Sequence, residues 1–295
     1  MKVSVVINVL NGDETLAVAL ESALAQDEVE IELVVWDNGS TDRTDDVVRS
    51  FQDQRIRYFR STETVPLYAA RNLAVAECTG DFVAFLDSDD WWSNDKLKKQ
   101  MKLFSPDVGL VYSNFFIVNE VAGTTKRYTR RSLPAGRIYS KLLKRYRVGL
   151  LTIVVRRELF RRWMFDPTLE IIGDFDFVMA IAREQEIACC QEYLGWSRFN
   201  GGNESERKKT QHLKELVMWY ENKRLSGDLS GRDLRNMRRM VRAKRAEVEF
   251  ESGNYARGFV EFLCVRPAGR QFKVAQRIFM SRLSARRTAK RVDGT

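Results

Sequence analysis

The chain has 295 residues, 44% apolar and 30% charged, with 49 Lys and Arg against 40 Asp and Glu for a net charge of +9. That length suits one large or two modest domains with a sizeable core, and no apolar run approaches a membrane-spanning helix. The four cysteines have neither framework nor metal-site spacing, and the apolar run in the opening MKVSVVINVLNG is too short, and broken by Asn8, for a signal peptide, so a cytoplasmic protein in a reducing compartment is expected.

Val3–Leu10 is a continuous β-branched run, the pattern of a strand buried on both faces. Glu14–Gln26 carries Leu16, Ala19, Leu20, Ala23 and Leu24 at helical spacing. Ile31–Trp36 reads as a second strand, Thr41–Phe51 as a helix, Ile56–Arg60 as a third strand and Tyr68–Glu77 as a helix closed by Gly80. Phe82–Leu86 is a fourth strand, Asn94–Phe104 a helix and Val108–Val118 extended. Glu120–Arg137 is polar and basic and reads as a long functional loop. Thr152–Val155 is a strand and Phe175–Glu184 a helix. From Ser205 the chain is helical and basic, broken at Gly227, Gly231 and Gly253, with amphipathic helices over Tyr255–Cys264 and Arg270–Leu283. Strand–helix alternation predicts an α/β fold: a mostly parallel sheet flanked by helices, with the ligand crevice outside the carboxyl ends of the strands.

Charge divides the chain. Residues from Glu206 onward hold 23 Lys and Arg against 10 Asp and Glu, a net of +13, which leaves −4 for residues 1–205. Two regions are expected, 1–205 and a basic α-helical 206–295, with different partners.

Two acidic clusters fall at strand ends. In AFLDSDDWW, the carboxylates of Asp87, Asp89 and Asp90 crowd one turn. Like charges this close repel. Two carboxylates at i, i+2 suit a hard cation such as Mg²⁺ or Mn²⁺, although a plain acidic turn capping the next helix has the same pattern. Trp92 stands where a calcium loop needs glycine. In DNGSTDRT, Asp37 points from a strand end into the crevice, toward ribose hydroxyls or a base N–H, or else belongs to a simple capped turn.

These segments stand in series: SVVINVLNG, VVWDNGSTD, AARN, FVAFLDSDDWW with KL and Q behind it, FDPTLEIIGDFDF, and SRFNGGNES. In order and spacing the series resembles the family 2 glycosyltransferases, inverting nucleotide-sugar enzymes of GT-A (Rossmann-like) fold, over residues 1–205. The resemblance implies a nucleotide-diphospho-sugar donor, a divalent metal (Mg²⁺ or Mn²⁺) and transfer with inversion to a saccharide or lipid-linked acceptor, in surface glycan biosynthesis. It implies donor contacts at Asn11, Asp37, Arg71, Asp87 and Ser88, with Arg71 near the diphosphate. Asp89 then binds the metal directly, with Asp87 shared between metal and ribose, and Asp174 is the catalytic base. The late motif implies contacts from Arg198 and Asn200. Four positions depart from the family pattern: Asn8 and Leu10 in the first motif, Gly173 in place of an acidic residue, and Asn200 in place of histidine. The single histidine, His212, lies beyond the motifs and reads as an ordinary surface or packing residue.

Two other readings remain. A sugar nucleotidyltransferase needs a Gly- and Lys-rich first loop, and NVLNGDETL holds no Lys or Arg. A non-catalytic binding or scaffold protein of the same fold accommodates the four departures. In the basic tail Phe272, Ala275, Phe279 and Leu283 recur near helical spacing, the pattern of a helix on an anionic membrane surface or of a bundle packed on the first region. No motif of a nucleic-acid binder accompanies the charge.

Overall fold

The computed structural model describes residues 1–199 and 208–265. The first half runs β1 (Lys2–Val9), α1 (Leu16–Leu24), β2 (Glu30–Asp37), α2 (Thr44–Ser50), β3 (Ile56–Arg60), α3 (Leu67–Ala76) and β4 (Phe82–Phe85). The second runs β5 (Trp91–Trp92), α4 (Lys96–Met101), β6 (Val108–Asn119), β7 (Thr124–Arg127), α5 (Tyr139–Lys144), β8 (Val154–Arg156), α6 (Gly173–Glu184) and β9 (Glu186–Phe199). Three helices follow: α7 (Lys209–Leu225), α8 (Gly231–Glu251) and α9 (Tyr255–Cys264). The expected α/β architecture is present. One sheet has the order β3-β2-β1-β4-β8-β6-β9-β5, with β7 on β6. Strands β1 to β4 pair only in parallel among themselves, while β8, β7 and β5 add antiparallel pairs.

Residues Val3, Val5, Ile7 and Val9 of β1 pack with Leu16 and Leu20 of α1, Val48 of α2 and Leu97 of α4. Val6 lies in the opposite layer with Val75 of α3 and Phe177 and Ile181 of α6. Alternation along the strand thus fills two cores, one on each face of the sheet. Leu216, Trp219 and Tyr220 of α7 and Met237 and Val241 of α8 belong to the same core as Phe177.

Four elements depart from the sequence expectation. The stretch over 120–137 contains β7, whose residues are all exposed, so no apolar alternation marks it. Strand β9 is 14 residues long with an irregular burial pattern, and β5 has two residues and is held by its pairing with Trp196 and Gly195. Helix α2 starts later than expected because the Asp42 carboxylate accepts from the Thr44 N–H (3.0 Å) and hydroxyl (2.6 Å), an Asx turn competing with the helix.

The chain steps outward from β1 to β2 and β3, then returns to lay β4 on the other side of β1. The loops leaving the carboxyl ends of β1 and β4 therefore diverge and open a crevice.

At the opposite end, buried Glu32 of β2 ties three segments together. Its carboxylate accepts from the Ser4 hydroxyl (2.6 Å), the Thr79 N–H (2.6 Å) and hydroxyl (2.7 Å), and Lys2 Nζ (3.0 Å). Burial alone would raise its pKa, but these hydrogen bonds outweigh it and hold the group at about 2, against an ordinary 4.5. The folded value lies below the unfolded one, so this stabilisation is complete above pH 4.5 and fades as pH falls toward 2. Glu32→Gln should cost about 3 kcal/mol in urea denaturation at pH 7 and flatten the loss of stability between pH 4.5 and 2. An unchanged acid slope would show that Glu32 is not the titrating tie.

Candidate functional site: an acidic crevice at the end of β4

Strand β4 is fully buried, and directly after Leu86 the chain turns through Asp87-Ser88-Asp89-Asp90, with the Asp90 N–H bonded to the Asp87 carbonyl (3.1 Å). Three carboxylates are thus forced together at one strand mouth, and two arginines hold two of them, Asp87 and Asp90. Arg71 of α3, 6% exposed, donates from Nη2 to Asp87 Oδ1 at 2.8 Å. Its guanidinium lies over the rings of Tyr68 (5.3 Å) and Phe165 (6.0 Å), an arrangement that favours a planar cation. From β9, the Arg198 N–H donates to Asp90 Oδ1 (2.8 Å) and its Nε to the Asp89 carbonyl (2.9 Å). The Arg198 guanidinium pairs with Glu120 and covers the Trp91 ring at 5.1 Å.

These partners leave charge uncompensated. Burial, then the neighbouring Asp87, pushes Asp89 up to about 6. Burial, then Asp87 and Asp89, pushes Asp90 well above the carboxylate range. A divalent cation would reverse the repulsive part of that shift. Among the described residues no three His, Cys, Asp or Glu side chains form a complete metal cage. The donor set fits an open site instead: hard carboxylate oxygens from one turn, with the remaining positions left to phosphate oxygens and water, as Mg²⁺ is commonly held.

Asp174 forms the opposite wall. It lies in the first turn of α6, its Oδ1 accepting the Phe175 N–H at 2.8 Å. Burial raises its pKa, the Arg71 charge opposes the rise and the Asp87 charge adds to it. Arg71, Asp87, Asp90 and Asp174 line one cleft of about 370 Å³, with Tyr68 and Phe115 as its aromatic wall.

The other sequence-derived candidates sit around this cleft. Asp37 is fully buried; its oxygens accept from the Ser40 N–H (2.7 Å) and the Tyr58 hydroxyl (2.6 Å). Asn11 has a positive φ of 54°, accepts the Thr41 N–H on Oδ1 (2.8 Å) and donates its own N–H to Ser40 Oγ (2.9 Å). Asn11 therefore braces the loop after β1 against the loop after β2, while Asp37 ties the loop after β2 to Tyr58 of β3. Ser88 stands 3.5 Å from where a Cβ on Gly12 would lie, so the acidic turn nearly touches the β1 loop. Asn200 lies outside the described residues, as does the Phe272–Leu283 stripe.

Several supports were invisible as motifs. The Asn38 side chain pairs with the Val65 backbone at both its oxygen (3.2 Å) and its nitrogen (2.8 Å), fixing the entry to α3 and hence Tyr68 and Arg71. Buried Glu215 of α7 accepts the N–H groups of Glu170 (2.9 Å), Ile171 (3.0 Å) and Ile172 (3.0 Å), the backbone that leads into Asp174. Those three bonds outweigh burial and lower its pKa. Trp219 donates to Asp176 at 2.7 Å one turn further along.

Residues 4–165 match the model of "Glycosyl transferase family 2". Over 164 residues the chain is 32% identical to the Escherichia coli UDP-Glc:alpha-D-GlcNAc-diphosphoundecaprenol beta-1,3-glucosyltransferase WfgD, covering 55% of this chain and 63% of that one. It is 29% identical to an uncharacterized glycosyltransferase of Rickettsia felis, covering 68% of this chain and 33% of the relative. The chain thus spans less than two thirds of either relative. Among solved structures, the mannosyltransferase PcManGT of Pyrobaculum calidifontis in complex with GDP-Man and Mn²⁺ superposes with a TM-score of 0.61 at 17% identity, covering 96% of this chain and 80% of that one. S. aureus TarS in complex with UDP-GlcNAc gives 0.57 at 18% identity, covering 83% and 66%. At these identities the structural likeness speaks for the fold.

Gly173, where an acidic residue was expected from the motif, has a physical reason. A Cβ there would stand 2.5 Å from the Tyr68 ring, and that ring is locked by its hydroxyl bond to the Ile171 carbonyl (3.0 Å). Gly173→Ala should cost about 1–3 kcal/mol by overpacking, and Tyr68→Ala in the same chain should recover part of that cost in a double-mutant cycle. Strictly additive denaturation free energies would dissociate the glycine from the ring.

Proposed function

The chain belongs to glycosyl transferase family 2, and on that premise we propose that it moves a sugar, with inversion, from a nucleotide-diphospho-sugar donor to the hydroxyl of a saccharide or lipid-linked acceptor. The observation that carries this reading is the meeting of Arg71, Asp87 and Asp174 in one cleft at the mouth of β4. The printed activity of the E. coli relative, glucosyl transfer to a diphosphoundecaprenol-linked GlcNAc, supports a lipid-linked acceptor and a role in surface glycan assembly. The PcManGT complex with GDP-Man and Mn²⁺ supports a metal-assisted donor site.

Asp89, with the Asp87 oxygen not engaged by Arg71, would hold the divalent ion. When bound, that ion would neutralise charge developing on the leaving diphosphate. Arg71 adds a fixed cation on the same side, and paired N–H donors on a guanidinium suit phosphate oxygens. Asn11, Asp37 and Ser88 belong to the donor side, Asn11 and Asp37 by shaping its loop. Asp174 faces them as general base. The acceptor hydroxyl attacks the anomeric carbon, its proton passes to Asp174, and the carbon–oxygen bond to the diphosphate breaks with its electrons going to the nucleotide. One carboxylate suffices, since a single displacement inverts without a covalent intermediate. Its raised pKa makes it a stronger base than an ordinary carboxylate.

We place the protein at the inner face of a membrane, held peripherally by its basic region from residue 206. The excess of +13 there supports this, and no helix among the described residues is long and apolar enough to cross a bilayer.

Asp174→Asn should leave donor affinity near normal and lower turnover about 10²–10⁴-fold, read by nucleotide release with a panel of nucleotide sugars. Because the base works only when deprotonated and its pKa is raised, the acid limb of kcat should lie above the ordinary carboxylate range and vanish in the variant. Collapse of donor affinity with surviving turnover would make Asp174 a binding residue.

Asp89→Ala should abolish both transfer and the Mn²⁺-dependent part of nucleotide binding, measured by titration calorimetry with and without chelator. Near-normal turnover of this variant would remove Asp89 as the metal ligand.

A further inference from the structure

A second concave site lies between α7 and α8, sharing no lining residue with the acidic crevice. It encloses about 320 Å³. Val217, Tyr220, Glu221 and Arg224 of α7 line one wall at i, i+3, i+4 and i+7, and α8 presents Arg238, Arg242 and Arg245 at matching spacing on the other. Residues so spaced share one helix face, so the two helices aim four guanidinium groups into one groove.

The local counter-charge is incomplete. Arg224 pairs with Glu221 at 2.6 Å. Arg245 and Arg242 share the single carboxylate of Glu261, at 3.2 and 3.8 Å. Arg238 meets only the neutral Tyr220 hydroxyl, at 3.4 Å, and has no carboxylate partner among the described residues. Among the described residues four cations therefore face two anions. Residues 266–295 hold nine Lys and Arg against one acidic residue. Helix α9, which contributes Glu261, also exposes Val260 (61%) and Leu263 (55%).

We propose that this groove is a binding site for a phosphoryl group, carried either on a membrane lipid or on a free phosphate or diphosphate. Guanidinium forks match phosphate oxygens in pairs, and a bound dianion removes the repulsion among the arginines. The site is argued from charge and shape alone and does not depend on the transferase reading.

The test uses the full chain in EDTA, with two probes: inorganic pyrophosphate by calorimetry, and co-sedimentation with phosphatidylglycerol or phosphatidylcholine vesicles. The groove variant is Arg238→Gln/Arg242→Gln, with Arg224→Gln as a single change on the facing wall. The control is Arg232→Gln/Arg239→Gln, which removes equal charge from exposed positions of the same helix outside the groove. The groove variants should weaken binding about tenfold or more, the scale of losing one charge-assisted hydrogen bond, while the control changes it less than about twofold and donor hydrolysis, measured separately with Mn²⁺ and no chelator, stays unchanged in all. Groove-dependent binding of pyrophosphate assigns a free ligand; groove-dependent binding of phosphatidylglycerol vesicles alone assigns a lipid phosphate. Equal losses in groove and control variants, or no binding of either probe, overturn the site.

Discussion

Three carboxylates held at one strand mouth against their own repulsion are the constraint on which the rest of this molecule depends. The repulsion is visible in Asp89 and Asp90, both pushed upward by burial and then by the Asp87 charge. Two elements counter it from opposite directions. Helix α3 brings Arg71 to Asp87, and β9 brings the Arg198 N–H to Asp90. Neither clamp is complete, so unmatched negative charge remains where the proposed cation and diphosphate would sit. The cleft is therefore electrostatically prepared: its fixed dipoles and charges are in place before any ligand arrives.

Precision in this cleft is inherited from packing further away. Arg71 is stiff because Tyr68 and Phe165 lie beneath its guanidinium. Tyr68 is stiff because the missing side chain of Gly173 leaves exactly its ring's space and Ile171 accepts its hydroxyl. The Ile171 backbone is in turn held by Glu215. A line of contacts thus runs from α7, beyond the stretch matched by the family model, to the walls of the crevice. The basic helices α7 and α8 share a core with α6, and α7 serves the cleft through Glu215.

Legibility in the sequence varied with the range of the interaction. Strands β1 and β2 and helix α1 were readable because each buries a continuous or periodic apolar set. The exposed β7, the two-residue β5 and the irregular β9 were not, because they exist by pairing with distant strands rather than by local pattern. At the site, Asp87, Arg71 and Asp174 were named from their motifs and come together in one cleft. The buried commitments of Asp37 and the bracing role of Asn11 were not legible, since both depend on partners about 20 to 30 residues away.

The sequence by itself determined the α/β alternation, the placement of acidic residues at strand ends and the order of the motif series, because periodicity and strand-end chemistry are local. Only the tertiary structure decided which carboxylate oxygens are spent and which are spare. Arg198 reaches the Asp90 carboxylate and the Asp89 backbone carbonyl across more than a hundred residues, and Glu215 reaches the Asp174 approach across more than forty. Likewise the run RDLRNMRRMVRAKR declares positive charge, but its convergence on a groove requires α7 to stand beside α8. Charge belongs to composition; the direction in which a charged group points belongs to the fold, because a hydrogen bond or ion pair forms only where the backbone has already brought its two ends within reach.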